Sequence, residues 1–326
     1  MLSRKLFKKV LLDPAQTGAN ELNIISGYAT AAMAIHHLNA LKNMTRMEVK
    51  VNLIIGMSVK DGLSKSNHFG FKRTVGTHKN FTCRYHVSPP AVHSKVYTWS
   101  KNGKPFKAFV GSANYTQTAF YEKQGECLAE ADPALSLKYF NRFLNSALFC
   151  NHPLIAIKIP IYPDAVFARL KHPAKGKRPA IKKGKNKPII ADVPHVRISL
   201  LDKKGRLPKR SGLNWGQRPE EKRNPDQAYI HLPANIYKTD FFPALGLDFI
   251  VHTDDNKILT CHRAQQNGKA IHTPDNSLFG RYFKKRLGLA KGAMVKKANL
   301  LRYGRTTIDF YKIEDETYYM DFSKPS

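Results

Sequence analysis

The sequence predicts two domains, a mixed α/β domain followed by a mainly β pseudobarrel. Three observations carry that expectation. Residues 22–148 alternate short apolar strands with helical patterns; residues 171–187 hold eight Lys or Arg, two Gly, two Pro and no acid; residues 196–322 run as short strands broken by turn residues. At 326 residues the chain is long enough to bury two cores. The expected boundaries are 1–170 for the first domain, 171–190 for a basic linker and 191–326 for the second domain.

In the first domain, Asn23–Tyr28 reads as a buried strand and Ala29–Leu41, built of small and apolar residues, as the helix after it. Val49–Gly56 is a second buried strand. Asp61–Lys79 is polar and bears Gly and Ser, and stays open between helix and loop; Phe81–Val87 alternates as a third strand. His93–Trp99 and Phe106–Gly111 flank Lys101-Asn102-Gly103-Lys104, whose Asn-Gly pair signals a hairpin, so these two strands are expected side by side. Gly125–Glu130 follows as a strand and Ala134–Leu148 as an amphipathic helix. The basic run after it reads as a solvated linker rather than a phosphate-binding arm. In the second domain, strands are expected at Val196–Leu200, Ala228–Leu232, Asp248–Thr253, Ile258–Arg263, Thr306–Lys312 and Thr317–Phe322, with one helix over Asn276–Leu287.

Charge narrows the function. The chain has 54 Lys+Arg against 24 Asp+Glu, a formal +30. Such an excess repels itself in a compact state, and its usual counterpart is a polyanion, with nucleic acid the leading candidate. An anionic membrane is the weaker rival, because no stretch approaches the roughly twenty apolar residues that span a bilayer. The basic start Met1–Val10 has too short an apolar run for a secretory signal and is ended by Asp13-Pro14, so a cytoplasmic protein is expected. Cys83, Cys127, Cys150 and Cys261 lack CxxC spacing and read as reduced core thiols.

The chemistry concentrates in His93-Ser94-Lys95 and, across the expected hairpin, Gly111-Ser112-Ala113-Asn114. On a strand, residues two apart share a face, which would place the His93 imidazole and the Lys95 ammonium in one pocket. Phosphodiester cleavage needs a nucleophile, positive groups around the non-bridging oxygens and an acid for the leaving oxygen. His93 suits attack on phosphorus, and Lys95 and Asn114 suit the oxygens. Ser112 adds a hydroxyl or backbone donor where Gly111 permits close approach. Glu126 is expected to accept from the second imidazole nitrogen and so select the attacking one. A lone His-x-Lys carries little information; with Gly-Ser-x-Asn at this spacing it becomes specific. His36, His37, His68 and His86 read as structural.

His-x-Lys followed by Gly-Ser-x-Asn resembles the phospholipase D superfamily. The resemblance implies a covalent phosphohistidine formed without a metal or other cofactor. It also implies two such motifs per active site, one imidazole attacking while the other protonates the leaving group. Only one copy is present here, so a homodimer with one composite site on its two-fold axis follows. The superfamily's common pattern puts an Asp five residues after the Lys, where this chain has Ser100. Glu126 in Gln124-Gly125-Glu126-Cys127 is the best later carboxylate, with Glu122 and Glu130 behind it. A metal-dependent alternative rests on Glu48-Val49-Lys50, half of a PD-(D/E)xK pattern, but its second carboxylate would have to be Asp13 in an irregular stretch.

Two long basic loops mark the second domain. Asp202–Gln227 carries Lys209, Arg210, Asn214, Trp215, Gln217, Arg218 and Arg223; the loop from Arg263 to Thr273 carries Gln265, Asn267, Lys269 and His272. Loops this long are usually functional, and Arg, Lys, Gln and Asn suit base edges and phosphates. The strings Ser211–Arg218, Gln227–Ile230, Arg263–Gln265, Gly268–Ile271, Gly280–Phe283 (with Arg281) and Tyr303–Thr306 resemble the NgoFVII-like restriction endonucleases. That resemblance runs from about Asn23 to Phe322. It implies a phospholipase D-like nuclease domain ahead of a B3-like pseudobarrel that grips double-stranded DNA with two arms, which fall on these two loops. The resulting expectation is a metal-independent type II-like restriction endonuclease that reads sequence through its second domain. A cognate DNA methyltransferase is the implied partner, a motor ATPase subunit a further one. A non-specific phospholipase D-like nuclease is the runner-up; a phosphatidyl-transferring lipase would share the His-Lys-Asn core, but the basic loops and the missing lipid-anchoring helix speak against it.

Overall fold

A computed structural model describes residues 1–45, 48–121, 123–171 and 193–324. The basic run 172–187, and with it nearly all of the expected linker, lies outside the described residues, as does Glu122. Chain contacts divide the protein into two units, Met1–Pro163 and Asp164–Ser326.

The first unit is built on a seven-stranded mixed sheet. In chain order its strands are β1 (Glu21–Ser26), β2 (Lys50–Ile55), β3 (Phe81–His86), β4 (Val96–Lys101), β5 (Lys104–Gly111), β6 (Leu128–Ala131) and β7 (Ala147–Phe149), and across the sheet they run β6-β5-β4-β1-β2-β3-β7. The central strands β1, β2 and β3 are parallel, and the hairpin β4–β5 joins antiparallel to β1. Parallel neighbours need a crossover, supplied by helices α1 (Ala31–Met44) and α2 (Lys65–Thr77). Each starts at a side-chain cap, Thr30 accepting from Met33 N and Ser64 from Asn67 N, both at 3.2 Å. The hairpin turn is the one Asn-Gly predicts, with Asn102 at φ 51° and Gly103 at φ 77°.

Two differences from the sequence reading have plain causes. The open stretch 61–79 is largely helix α2, whose buried face is Ser66, Asn67, His68, Gly70, Phe71 and Thr74; small and polar residues leave almost no apolar periodicity to read. A Cβ on Gly70 would stand 2.6 Å from Ala31 Cβ, so glycine there lets α1 and α2 pack closely. The helix expected over 134–148 is Pro133–Arg142 (α3), and Ala147–Phe149 instead pairs with β3 at the sheet edge. A vacant strand edge overrides local helical spacing.

The second unit holds another seven-stranded sheet: β8 (His195–Ser199), β9 (Ile230–His231), β10 (Asp248–Thr253), β11 (Ile258–Ala264), β12 (Ala270–His272), β13 (Thr307–Glu314) and β14 (Thr317–Asp321). Its spatial order is β8-β13-β14-β10-β11-β12-β9. Every neighbouring pair is antiparallel except β14 and β10, and the sheet wraps almost into a barrel around Phe242, Phe249, Phe279, Phe283, Phe310 and Tyr318. Helix α4 (Ser277–Arg286) contributes Phe279 and Phe283 to that core. The fold is thus a mixed α/β domain with a mainly β pseudobarrel after it in the chain, the two classes the sequence predicts.

Candidate functional site

The motif residues gather where β1 and β2 end. Gly56 follows β2 and pairs main chain to main chain with Val92, whose N donates to Gly56 O at 3.0 Å. A Cβ on Gly56 would lie 2.0 Å from Val92 O, so only glycine lets the segment carrying His93 pass this close. Val92 is itself buried with Ile25, Ile54, Val96 and Phe140, which fixes the chain one residue before the imidazole.

His93 and Lys95 do not lie in the strand as the sequence reading expects; β4 begins at Val96, and His93 stands exposed on the segment leading into it. They meet nonetheless, because Lys95 folds back. Its Nζ lies 3.1 Å from His93 Nδ1 and 3.4 Å from Nε2, and donates to His93 O at 2.7 Å. Lys95 is 7% exposed, and burial pulls its ammonium below the usual lysine range while the Glu126 carboxylate works in the opposite direction.

Asn114 arrives from the far side of the hairpin. Buried Ala113 and Tyr115 pin the main chain, with Tyr97 Oη donating to Ala113 O at 2.7 Å and Tyr115 N to Ser26 Oγ at 2.9 Å. Asn114 Oδ1 accepts from Tyr28 N at 3.1 Å, which leaves its Nδ2 donors for a ligand. Gly27 sits between these groups: a Cβ there would be 3.1 Å from His93 Cδ2 and 3.5 Å from Asn114 Oδ1. Ser112 hydrogen-bonds the Glu126 carboxylate, and its Oγ also accepts from Cys127 N at 3.1 Å.

Glu126 therefore bonds to Ser112 rather than to the imidazole, and it lies ahead of β6, not in it. Of the other carboxylates considered, Glu130 is ion-paired with Lys107 at 2.9 Å. Asp13 is paired with Lys8 at 2.5 Å and Glu48 is exposed. Among the described residues, no three His, Cys, Asp or Glu side chains cluster so as to hold a metal ion. The remaining histidines of the first unit are engaged elsewhere: His36 with Tyr121, His37 with Tyr115 and Leu11, His68 with Tyr85, His78 with Thr77 and Thr74, His86 with Pro90 and Ser146, and His152 with the Leu154 amide. Burial pushes His37 and His68 down to about 4, as for structural core imidazoles.

In the second unit the structure divides the expected DNA contacts into two kinds. Asn214 is buried, its Nδ2 donating to Pro208 O at 2.9 Å and Val295 O at 2.8 Å while its Oδ1 accepts from Val295 N. Gln217 Nε2 donates to Pro225 O and Gly292 O. Arg263 is buried and donates to the carbonyls of Gly268, Tyr237, Pro243 and Asn267. His272 is buried face to face with Tyr229, ring centroids 5.3 Å apart and 3° from parallel, with Trp215 edge-on to both. These four are internal braces. Asn214 and Gln217 satisfy backbone groups of the aperiodic first loop. Arg263 and His272 instead stand in β11 and β12, so the stretch read as a loop from Arg263 to Thr273 is a hairpin that turns over residues 265–269.

The outward set is different. Lys209 and Arg210 are exposed, Arg223 stacks on Trp215 at 4.3 Å, and Arg218 and Arg223 share Glu221. Arg281 pairs with Asp275 at 2.6 Å. Surface pairs of this kind are worth under about 1 kcal/mol, so exchanging such a carboxylate for a phosphate is cheap. In the second arm, Gln265 and Asn267 take φ values of 63° and 62°, and Lys269 is half-buried beside them. Positive φ in a non-glycine residue costs about 1–3 kcal/mol and persists where structure or function holds it. We expect Arg263→Ala to lower stability by about 3 kcal/mol and weaken binding to any DNA. Gln265→Ala should leave stability in place and cost about 1–3 kcal/mol of preference for the cognate sequence. Thermal melts and binding to cognate and random duplexes separate the two.

The arrangement defines a phospholipase D-type nuclease domain joined to a DNA-binding pseudobarrel. The NgoFVII restriction endonuclease N-terminal PLD domain matches residues 4–156, and the NgoFVII C-terminal B3-like DNA-binding domain matches residues 188–314. The chain belongs to the NgoFVII-like restriction endonuclease family, with the nuclease activity and DNA binding that these domains imply. Similarity to solved structures is partial. Polyphosphate kinase from Porphyromonas gingivalis is 13% identical with a TM-score of 0.29, over 44% of this chain and 21% of that one. NucT from Helicobacter pylori is 21% identical with a TM-score of 0.29, over 45% of this chain and 96% of that one. No curated protein matches the chain. Among the described residues, no helix is long and apolar enough to cross a membrane.

Sequence reasoning missed Ser26, Gly27, Tyr28 and Asp61, which surround the motif residues. Gly27 directly after a buried strand is the one local sign that something must approach there.

Proposed function

We propose that this chain is a sequence-specific endodeoxyribonuclease that cuts through a phosphohistidine, in one composite site made by two copies of the chain, without a metal. The observation that carries the reading is the Lys95 ammonium against the His93 ring, with the tethered Asn114 amide beside both. A nitrogen of His93 attacks phosphorus, and the bond to the leaving oxygen breaks. Lys95 and Asn114 hold the non-bridging oxygens, where negative charge grows in the transition state. The His93 of the second copy protonates the leaving oxygen. Water then attacks phosphorus, the P–N bond breaks, and the second imidazole takes up the water's proton. The second copy supplies that acid because the chain carries a single His-x-Lys followed by Gly-Ser-x-Asn.

Ser112 and Glu126 support the anion site, the carboxylate holding charge on Lys95. Lys209, Arg210, Arg218, Arg223, Lys269 and Arg281 meet phosphates, while Trp215, Gln265 and Asn267 face the groove. The proposed domains are 1–170 and 191–326 with a basic linker at 171–190, although chain contacts group residues 164–171 with the second unit. The protein acts in the cytoplasm beside a cognate methyltransferase that protects the recognition sequence, and a motor ATPase subunit is a partner of the same kind of system.

The test is plasmid digestion in EDTA. Discrete fragments are expected; a smear indicates non-specific cutting, and no cutting until Mg²⁺ is added overturns the mechanism. A pH series adds detail. Because burial lowers the Lys95 pKa, activity should fail at an alkaline pH below the ordinary lysine value as the ammonium is lost. Glu126→Gln removes a charge that favours the ammonium, so the alkaline limb should move lower still. A limb that stays in place argues against Glu126 acting on Lys95.

A further inference from the structure

We infer that Tyr28, anchored by Asp61, is a positioning residue that sets the angle of the His93 ring for attack; this rests on reading His93 as the nucleophile. The two rings meet edge to face, with centroids 5.8 Å apart and planes at 81°. The Tyr28 hydroxyl donates to Asp61 Oδ2 at 2.5 Å, and its backbone N–H donates to Asn114 Oδ1 at 3.1 Å. One residue therefore touches two motif side chains by two separate groups. Its main chain holds the amide, and its ring walls the imidazole.

The need for a wall comes from exposure. His93 stands out on a segment that is not yet strand, where an imidazole has several rotamers open to it. Lys95 engages the ring nitrogens and Tyr28 packs against the ring from another element, at the end of β1. Gly27, where a Cβ would already press to 3.1 Å from His93 Cδ2, lets that element come close. Asp61 is placed just as firmly. It ends the single turn Ser58–Asp61, and Gly62 after it, at φ 71°, lies so close to Tyr162 and Pro160 O that a Cβ would stand 2.4 and 2.6 Å from them. Burial and the Asp61 carboxylate push the Tyr28 phenol up to about 12, which suits a wall and an anchor rather than a proton donor.

The experiment compares single-turnover cleavage, DNA affinity and melting temperature for Tyr28→Leu, Tyr28→Phe, Asp61→Leu and His93→Ala in the full-length protein. Tyr28→Leu is expected to slow cutting roughly 10- to 100-fold, the scale of a misplaced reacting group, with affinity and melting unchanged. Tyr28→Phe keeps the wall and should recover most of that loss; Asp61→Leu, which removes only the anchor, should resemble it. The inference is overturned if Tyr28→Leu cuts at the wild-type rate while His93→Ala is inactive. It is equally overturned if Tyr28→Phe is as slow as Tyr28→Leu with melting lowered alike, which is the mark of a structural role. Should Tyr28→Leu not fold, Tyr28→Phe and Asp61→Leu decide: each is expected to keep a small residual slowing, a few-fold, with affinity and melting unchanged, whereas no slowing in either, or a slowing that comes with lowered melting, sinks the inference. Cutting by His93→Ala instead refutes the underlying assignment of the nucleophile.

Discussion

Replacing His93 by alanine is expected to lower the cutting rate by roughly 10⁴-fold or more, the scale of losing a nucleophile, while DNA affinity stays within about twofold. The separation follows from architecture. The imidazole belongs to the first unit, whereas the outward basic side chains of the two arms belong to the second. His93 is exposed and its ring carries no part of the core, so the substitution leaves packing in place. Mixing supplies a stricter measurement. If wild-type and His93→Ala chains exchange freely at equal amounts, about a quarter of dimers keep both imidazoles, so activity should fall to about a quarter. Two independent sites would instead retain about half, and that result would remove the composite site. Loss of DNA binding in a folded His93→Ala protein would count against the division of labour between the units.

The second large effect lies in the DNA-binding unit, at Asp226. Its carboxylate accepts from Lys284 Nζ at 2.7 Å and from Gly292 N at 2.8 Å, and both members of the ion pair are nearly inaccessible. Lys284 also donates to Pro225 O at 2.8 Å. Helix α4 runs against this point: a Cβ on Gly280 would lie 1.7 Å from Asp226 O, which ties the glycine of Gly280-Arg281 to the base of the first arm. Asp226→Ala would strand an ammonium in the interior, at a cost of about 3–5 kcal/mol. That is a large share of a typical 5–15 kcal/mol stability, and should lower the melting temperature by roughly 10 °C or more. Asp226→Leu with Lys284→Met should restore most of the loss, because no unpaired charge remains. A single substitution that melts like wild type would show the pair to be incidental.

The same pair has a pH signature. Burial alone would raise the Asp226 carboxyl, but Lys284 and the Gly292 amide outweigh it and hold it below the usual range. A carboxyl lowered by folding contributes its stability fully above the unfolded value near about 3.9. The contribution is lost as pH falls through the lower folded value. Acid melting of Asp226→Ala should therefore lack this component.

Much of the site was legible because its signals are local. Asn102-Gly103 forces a tight hairpin whatever surrounds it, and the hairpin sets Gly111-Ser112-Ala113-Asn114 against the segment of His93 and Lys95. Helix α2 was not legible, since its buried stripe is made of Ser, Asn, His, Gly and Thr. Asn214, Gln217 and Arg263 read as DNA contacts because their types suit base edges, yet each is turned inward onto backbone carbonyls. Composition names the donors but not the direction in which they point. Tyr28 and Asp61 carry no motif at all.

By itself, then, the amino-acid order determined the two-part architecture, the DNA-binding character and the His-x-Lys and Gly-Ser-x-Asn strings that the fold brings together, since these follow from charge, short-range turn chemistry and strand alternation. Only the tertiary structure decided which basic and amide side chains face outward, which carboxylate stands by Lys95, and which ring walls His93. Those outcomes depend on contacts between elements far apart in the chain, where close packing selects one arrangement among many that local chemistry permits.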